Sequence, residues 1–340
     1  MGDGSTSSGR TFNPSALGVG HTYADGDATY TVTVTVDDDG AQSGSDSFEV
    51  TVNNVAPTLN LTGGGSVAEG ALYTLAISHS DPGADTIASY TIDWGDGGPA
   101  QAVTAAALAA AGGSVTHVYA DGAAGGTART ITVSATDEDG TWTQTKALTV
   151  DNVAPTIALT GNLTVDEGST FTLNLGAVTD PGQDTPTSYT INWGDGAVEV
   201  VSSLGDYTHV YADGTTNRTI TVLVTDEDGQ HANAGTHTVT VNNVAPAVAL
   251  TGAEQTGEGA SYELNLLGSD PAGSADTLSY SIDWGDGSSV QVLSAAELAT
   301  LGGSVEHVFT DDEDGPANAT DRTITVTVSD EDGGSSTTTK

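Results

Sequence analysis

The string Trp-Gly-Asp-Gly occurs three times, at 94–97, 193–196 and 284–287. The linker Asn-Val-Ala-Pro also occurs three times, ending at Pro57, Pro155 and Pro246. Successive linker prolines lie 98 and 91 residues apart, and each Trp follows its proline by 37 or 38 residues. Self-similarity at a period of about 95 residues means one structural unit used repeatedly, which excludes a single large core. The first half of the unit keeps its spacing and the second half does not. Gly194 to His209 spans 15 residues, whereas Gly95 to His117 and Gly285 to His307 each span 22.

Within each unit, short runs alternate apolar and polar residues, as in Thr130-Ile131-Thr132-Val133. Turn residues punctuate them: Glu-Gly at 69–70, 167–168 and 258–259, and Asp-Pro at 81–82, 180–181 and 270–271. Later come Tyr-Ala-Asp-Gly at 119–122 and 211–214, Phe-Thr-Asp-Asp at 309–312, and Asp-Glu-Asp-Gly at 137–140, 226–229 and 330–333. Period-two alternation with turns every 8–12 residues or so is the pattern of an antiparallel β-sandwich. The expected fold is all-β, with tandem immunoglobulin-like sandwiches in a head-to-tail rod. The expected domains are 1–55, a partial repeat lacking its first strands, then 56–153, 154–244 and 245–340, the last with an incomplete final strand. Gly-Asp-Gly at 2–4 matches the end of the Trp motif, so the chain reads as a fragment of a longer array. The Ala-rich stretches 104–111 and 294–301 predict short helices in a tolerant connection outside the core.

The chain has 46 acidic residues against 6 basic ones, a formal net charge of −40, and no cysteine. That charge excludes nucleic acid and anionic membrane as direct partners, because both need Lys and Arg clusters. No apolar stretch is long enough to span a bilayer. The absence of cysteine excludes disulfide, thiolate-metal and cysteine-nucleophile chemistry. The acids are 33 Asp and 13 Glu. Asp suits tight turns and short-armed ligation.

Tyr90-x-x-Asp93-Trp94-Gly95-Asp96-Gly97, His117-x-Tyr119 and Thr-Val133 followed by Gly140 together resemble the PKD domain. Trp193, His209 and Tyr211, and Trp284, His307 and Phe309, repeat the pattern. The family's usual Phe between Trp and Gly is missing. The resemblance implies an immunoglobulin-like module of bacterial or archaeal surface proteins, with extracellular spacing, adhesion or carbohydrate-associated roles and without catalysis.

In such a sandwich alternate loops fall at opposite ends, so head-to-tail stacking gathers acids at three junctions. The first would bring Asp25, Asn53 and Asn54 to Asp81, Asp85, Asp137 and Asp139. The second would bring Glu69, Asp121, Asp151 and Asn152 to Asp180, Asp184, Asp226 and Asp228. The third would bring Glu167, Asp213, Asn242 and Asn243 to Asp270, Asp276, Asp330 and Asp332. Crowded carboxylates repel unless a cation intervenes, and flexible loops of six to eight oxygen donors suit Ca²⁺. One or two Ca²⁺ are expected at each junction, a layout similar to that of cadherin junctions. In Asp-Glu-Asp the outer side chains share a side and the middle Glu is expected to face water. The competing readings are plain Asx turns and an acidic surface kept hydrated in high salt. Asp96, Asp195 and Asp286 read as turn residues.

The histidines His21, His117, His209 and His307 read as packing positions before an aromatic, and Trp94, Trp193 and Trp284 as core anchors. Trp142 is the one aromatic singled out for ligand contact. No enzyme signature appears, since paired carboxylates recur in every repeat whereas an active site is normally unique. The function expected is a non-catalytic extracellular or cell-surface spacer or adhesive array. Its partners are neighbouring repeats of the same chain, with a surface glycan or protein ligand beyond them. The alternative is a carbohydrate-binding module array attached to a secreted polysaccharide-degrading enzyme.

Overall fold

A computed structural model of the chain describes residues 20–310 and 320–340. The Gly-Asp-Gly at 2–4 and the acids Asp311 and Asp312 therefore lie outside the described residues. The chain divides into two compact units, residues 1–153 with 181–184, and residues 154–180 with 185–340.

The first unit begins with the hairpin of β1 (Ala28–Asp37) and β2 (Ser43–Val52). There follow β3 (Thr58–Thr62), β4 (Ser66–Ala68), β5 (Leu72–Ser80), β6 (Ser89–Asp93) and β7 (Gln101–Thr104). After the helix α1 (Ala105–Ala110) come β8 (Ser114–Val118), β9 (Thr127–Thr136) and β10 (Thr141–Asp151). One sheet has the order β4-β10-β9-β6-β7 and the other β3-β5-β8. All these pairs are antiparallel except β4 with β10, where Ser66 sits opposite Thr149 in a parallel pair. The inner faces meet in a core that includes Leu75, Ile92, Ile131, Val133 and Ala135, all fully buried.

The alternation explains this arrangement. β9 places Ile131, Val133 and Ala135 inward and Thr130, Thr132 and Ser134 outward, as side chains one apart on a strand must point to opposite faces. β-Branched residues dominate both faces and suit a pleated, half-buried surface. Pro57, which has no amide hydrogen to donate to a ladder, lies buried immediately before β3.

The second unit holds two such sandwiches. The first contains β11 (Thr156–Gly161), β12 (Thr164–Asp166), β13 (Thr170–Thr179), β14 (Ser188–Asn192), β15 (Val198–Val201), β16 (Gly205–Val210), β17 (Thr216–Thr225) and β18 (Gln230–Asn242). Its sheets are β12-β18-β17-β14-β15 and β11-β13-β16. The next contains β19 (Ala247–Gly252), β20 (Ser261–Ser269), β21 (Ser279–Asp283), β22 (Gln291–Ser294), α2 (Ala295–Thr300), β23 (Ser304–Val308), β24 (Thr325–Ser329) and β25 (Ser335–Thr339). Its sheets are β22-β21-β24-β25 and β19-β20-β23. Among the described residues it has no counterpart of the short parallel strands β4 and β12.

The helices fall where the Ala-rich stretches lie. Thr104 and Ser294 cap them, each side-chain oxygen accepting from an amide three residues on. They are not outside the core, however. Leu108 and Leu298 are each 5 % exposed and belong to the cores beneath them. A single helical turn buries one residue of its inner face, so the variable segment still contributes packing.

Candidate metal centre

The Trp-Gly-Asp-Gly turn shows how these sequences fix their loops. Gly95 has φ +75°, and a Cβ there would stand 2.4 Å from Thr130 O, so only glycine fits. Asp93 Oδ1 accepts from Gly95 N and Asp96 Oδ1 from Gly98 N, each at 2.9 Å. The other oxygen of Asp96 meets His117 Nε2 at 2.7 Å. That imidazole stacks on Trp94 at 4.8 Å and 8°. The pairing recurs at Asp195–His209 (2.6 Å) and Asp286–His307 (2.8 Å), each histidine stacked on its Trp. These aspartates are turn residues, as expected, and the histidines are packed. The Asp–His link was invisible in the sequence, because 14 or 21 residues separate the partners.

Burial alone would raise the Asp195 carboxyl, but the Ala197 amide and His209 outweigh it and hold it below the usual range. A depressed carboxyl contributes stability that is present above its unfolded value, about 3.9, and is lost as pH falls through the folded value. Asp195→Asn should cost about 1 kcal/mol at neutral pH, discounted for partial exposure. It should also flatten the decline of stability below about pH 4. Urea unfolding from pH 2.5 to 7 checks this, and parallel pH curves for the two proteins would contradict it.

The Asp-Pro and Asp-Glu-Asp-Gly loops carry the acids. Asp81 Oδ1 accepts from Gly83 N and Asp270 Oδ1 from Ala272 N, closing an Asx turn in each loop. The second oxygen of each is buried without a partner. The middle glutamates do not simply face water. Glu138 Oε2 accepts from Thr86 N at 3.2 Å, Glu227 Oε2 from Thr185 N at 2.8 Å, and Glu331 Oε2 from Thr277 N. Each glutamate, though exposed, ties its loop to the Asp-Pro loop, because the Thr amide offers a donor that nothing else takes. In the first unit Asp137 is also committed to its own loop. Its Oδ1 accepts from Asp139 N and Gly140 N, and its Oδ2 from Trp142 Nε1 at 2.8 Å. These bonds outweigh burial and lower its pKa. Trp142, singled out for a ligand, is half-buried and braces this loop.

Oxygens of Asp25, Asp85 and Asp139 lie within 4.8 Å of one another. Loss of water around Asp85, then Asp25, Asp81 and Asp139, push its carboxyl up to about 6. Asn54 has a buried, unpartnered Oδ1, whereas Asn53 is exposed. The residues of the expected second junction divide between the two units. In the first unit, Glu69 is 1 % exposed and accepts from Gly122 N and Val153 N, both at 2.7 Å. Asp121 and Asp151 are exposed, Asn152 and Asp184 half-buried, and Gln183 N donates to Ala120 O. In the second unit, Asp180 and Asp228 are half-buried, and Asp226 is buried with His231 Nε2 at 2.9 Å.

The second unit gathers more. Glu167, Asp213, Asp276 and Asp332 each bring an oxygen within 4.8 Å of the others, and so do Asp270, Asp276 and Asp330. Asp276 is 6 % exposed and neither of its oxygens has a partner. Burial, then Glu167, Asp270, Glu331 and Asp330, raise its pKa to about 6. Glu167 is raised too, by burial first and then by Asp270 and Asp213, against the amides of Val244 and Gly214. Asn243 donates Nδ2 to Asp330 Oδ2 and leaves Oδ1 unpartnered. Asn242 is turned outward and bonds Asp166. Of the third linker pair, then, Asn243 turns towards the acids and Asn242 away from them.

The family model for the PKD domain matches residues 152–241. The second repeat is a PKD domain. The flanking repeats share its Trp-Gly-Asp-Gly turn, stacked histidine and pair of sheets, and the PKD pattern thus recurs along the chain. No curated protein matches the chain. Among solved structures it is similar to a tetra-tandem repeat from the extending region of a large adhesion protein, at 18 % identity and a TM-score of 0.42. That similarity covers 93 % of this chain and 81 % of the other. It is also similar to three N-terminal domains of the highly immunogenic outer capsid protein of bacteriophage RB49, at 12 % identity and a TM-score of 0.29. That second similarity covers 83 % and 97 % of the two chains. Among the described residues no helix is long and apolar enough to cross a membrane.

Proposed function

We propose that the chain is a segment of a non-catalytic extracellular or cell-surface repeat array, a spacer or stalk whose linkers Ca²⁺ stiffens. Asp276 carries the reading. A carboxylate with both oxygens buried and unpartnered is costly, and five further carboxylates surround this one. A hard dication with oxygen ligands removes the repulsion and satisfies the orphaned atoms together. The same chemistry is present in smaller form at Asp25, Asp85 and Asp139. The array reading rests on the PKD match and on the repetition of one sandwich. Trp94, Trp193 and Trp284 are 2–3 % exposed, so these three aromatics serve the cores and offer no face to a sugar.

Calcium bound to the folded chain at a hundred times its Kd adds about 2.7 kcal/mol to the module that holds it. Scanning calorimetry should therefore show a higher Tm in millimolar Ca²⁺ than in chelator, and X-ray scattering a narrower spread of conformations. Superimposable melting and scattering curves in the two conditions would overturn the reading.

A further inference from the structure

The acids of the second unit form two sets, not one. Glu167, Asp213, Asp276 and Asp332 make the first set, Asp270, Asp276 and Asp330 the second, and Asp276 alone belongs to both. We propose that this cluster is a two-ion site, with Asp276 bridging two calcium-class cations through one oxygen to each. The inference rests on the calcium reading above and adds its stoichiometry and its bridging ligand.

Three observations carry it. First, donors that share one ion at about 2.4 Å can be no more than about 4.8 Å apart, and each set meets that limit by itself. Secondly, Asp276 is buried to 6 % exposure, and both of its oxygens lack a partner. A single ion bound through one oxygen would leave the other orphaned. One ion in the first set would also leave Asp270 Oδ2 buried and unpartnered. Thirdly, the two sets together hold six carboxylates, and one dication offsets only two of those charges. Two dications leave a residue of two, which the Val244 amide on Glu167 Oε1 and the Gly334 amide on Asp330 Oδ1 help to hold. Asn243 Oδ1 adds a neutral donor beside Asp330, in keeping with the mixed carboxylate and carbonyl shells that Ca²⁺ takes.

The test is a count of bound Ca²⁺ on the full chain by native mass spectrometry, with calorimetric titration alongside. Asp332→Asn and Asp270→Asn should each remove one equivalent, and Asp276→Asn should remove two. Asparagine at 270 keeps the Oδ1 that closes its Asx turn. Circular dichroism in chelator shows that each variant is folded. Crystals soaked in terbium supply a measure that needs no variant: two anomalous peaks about 4 Å apart, flanking Asp276. One equivalent lost in all three variants, or a single peak at Asp276, overturns the two-ion site while leaving calcium binding intact. No Ca²⁺ bound by the unmodified chain overturns the calcium reading itself and this inference with it.

Discussion

Trp193→Ala should unfold the second repeat selectively. Trp193 is 2 % exposed, its backbone carbonyl accepts from Tyr211 Oη at 2.9 Å, and His209 stacks on it at 4.8 Å. Removing a buried indole costs about 3–5 kcal/mol. A sandwich of this size has a total stability of only about 5–15 kcal/mol, so most of the margin goes. At about 4–8 °C per kcal/mol for a domain this small, the transition should move down by at least about 12 °C. The three cores share no residue, and repeats of this kind couple only through their neighbours. Calorimetry should therefore resolve one early transition, with the remaining heat absorbed near its original temperature. A single transition that shifts as a whole would show instead that the sandwiches melt as one cooperative body.

That independence of cores is legible in the sequence, since it follows from alternation within strands and recurrence of one turn. Ile131 and Val133 could be placed inward from spacing alone, and Gly95 could be read as a turn before its approach to Thr130 was known. The acid loops were less readable. Asp137 and Asp139 look equivalent in Asp-Glu-Asp, yet Asp137 is used up by two amides and Trp142, while Asp139 faces Asp25 and Asp85. The difference lies in a backbone turn that brings two amides to one oxygen, and no side-chain periodicity encodes it. Alternation along Asp-Glu-Asp points Glu138 towards water, and the side chain is exposed, but an exposed side chain can still reach a loop 52 residues earlier. Leu108 was placed outside the core because its segment varies in length. Length variation marks tolerance of the backbone path, and one apolar side chain can still dock.

Glu69→Ala should be nearly as damaging as loss of a tryptophan, although the residue sits in a turn. Glu69 precedes Gly70, whose φ of +67° ends β4, and its own amide donates to Asp151 O. The side chain turns inward to 1 % exposure. There its two oxygens accept from the amides of Gly122 and Val153, each at 2.7 Å. These amides belong to the Tyr-Ala-Asp-Gly turn and to the linker that follows β10, so one carboxylate pins three loops at the end of the sandwich. Alanine leaves two donors unsatisfied, the Gly122 amide buried and the Val153 amide half-buried, at about 1–3 kcal/mol each, and hence a loss of about 2–6 kcal/mol. Glutamine is the discriminating variant. A carboxylate accepts at both oxygens, whereas the amide keeps one acceptor and turns a donor towards a second donor. Glu69→Gln should therefore recover less than half of the loss in spite of its matched shape. Both variants are best measured by denaturant unfolding in chelator, where no cation contributes. Full rescue by glutamine would mean that packing, and not the paired acceptors, makes the residue matter.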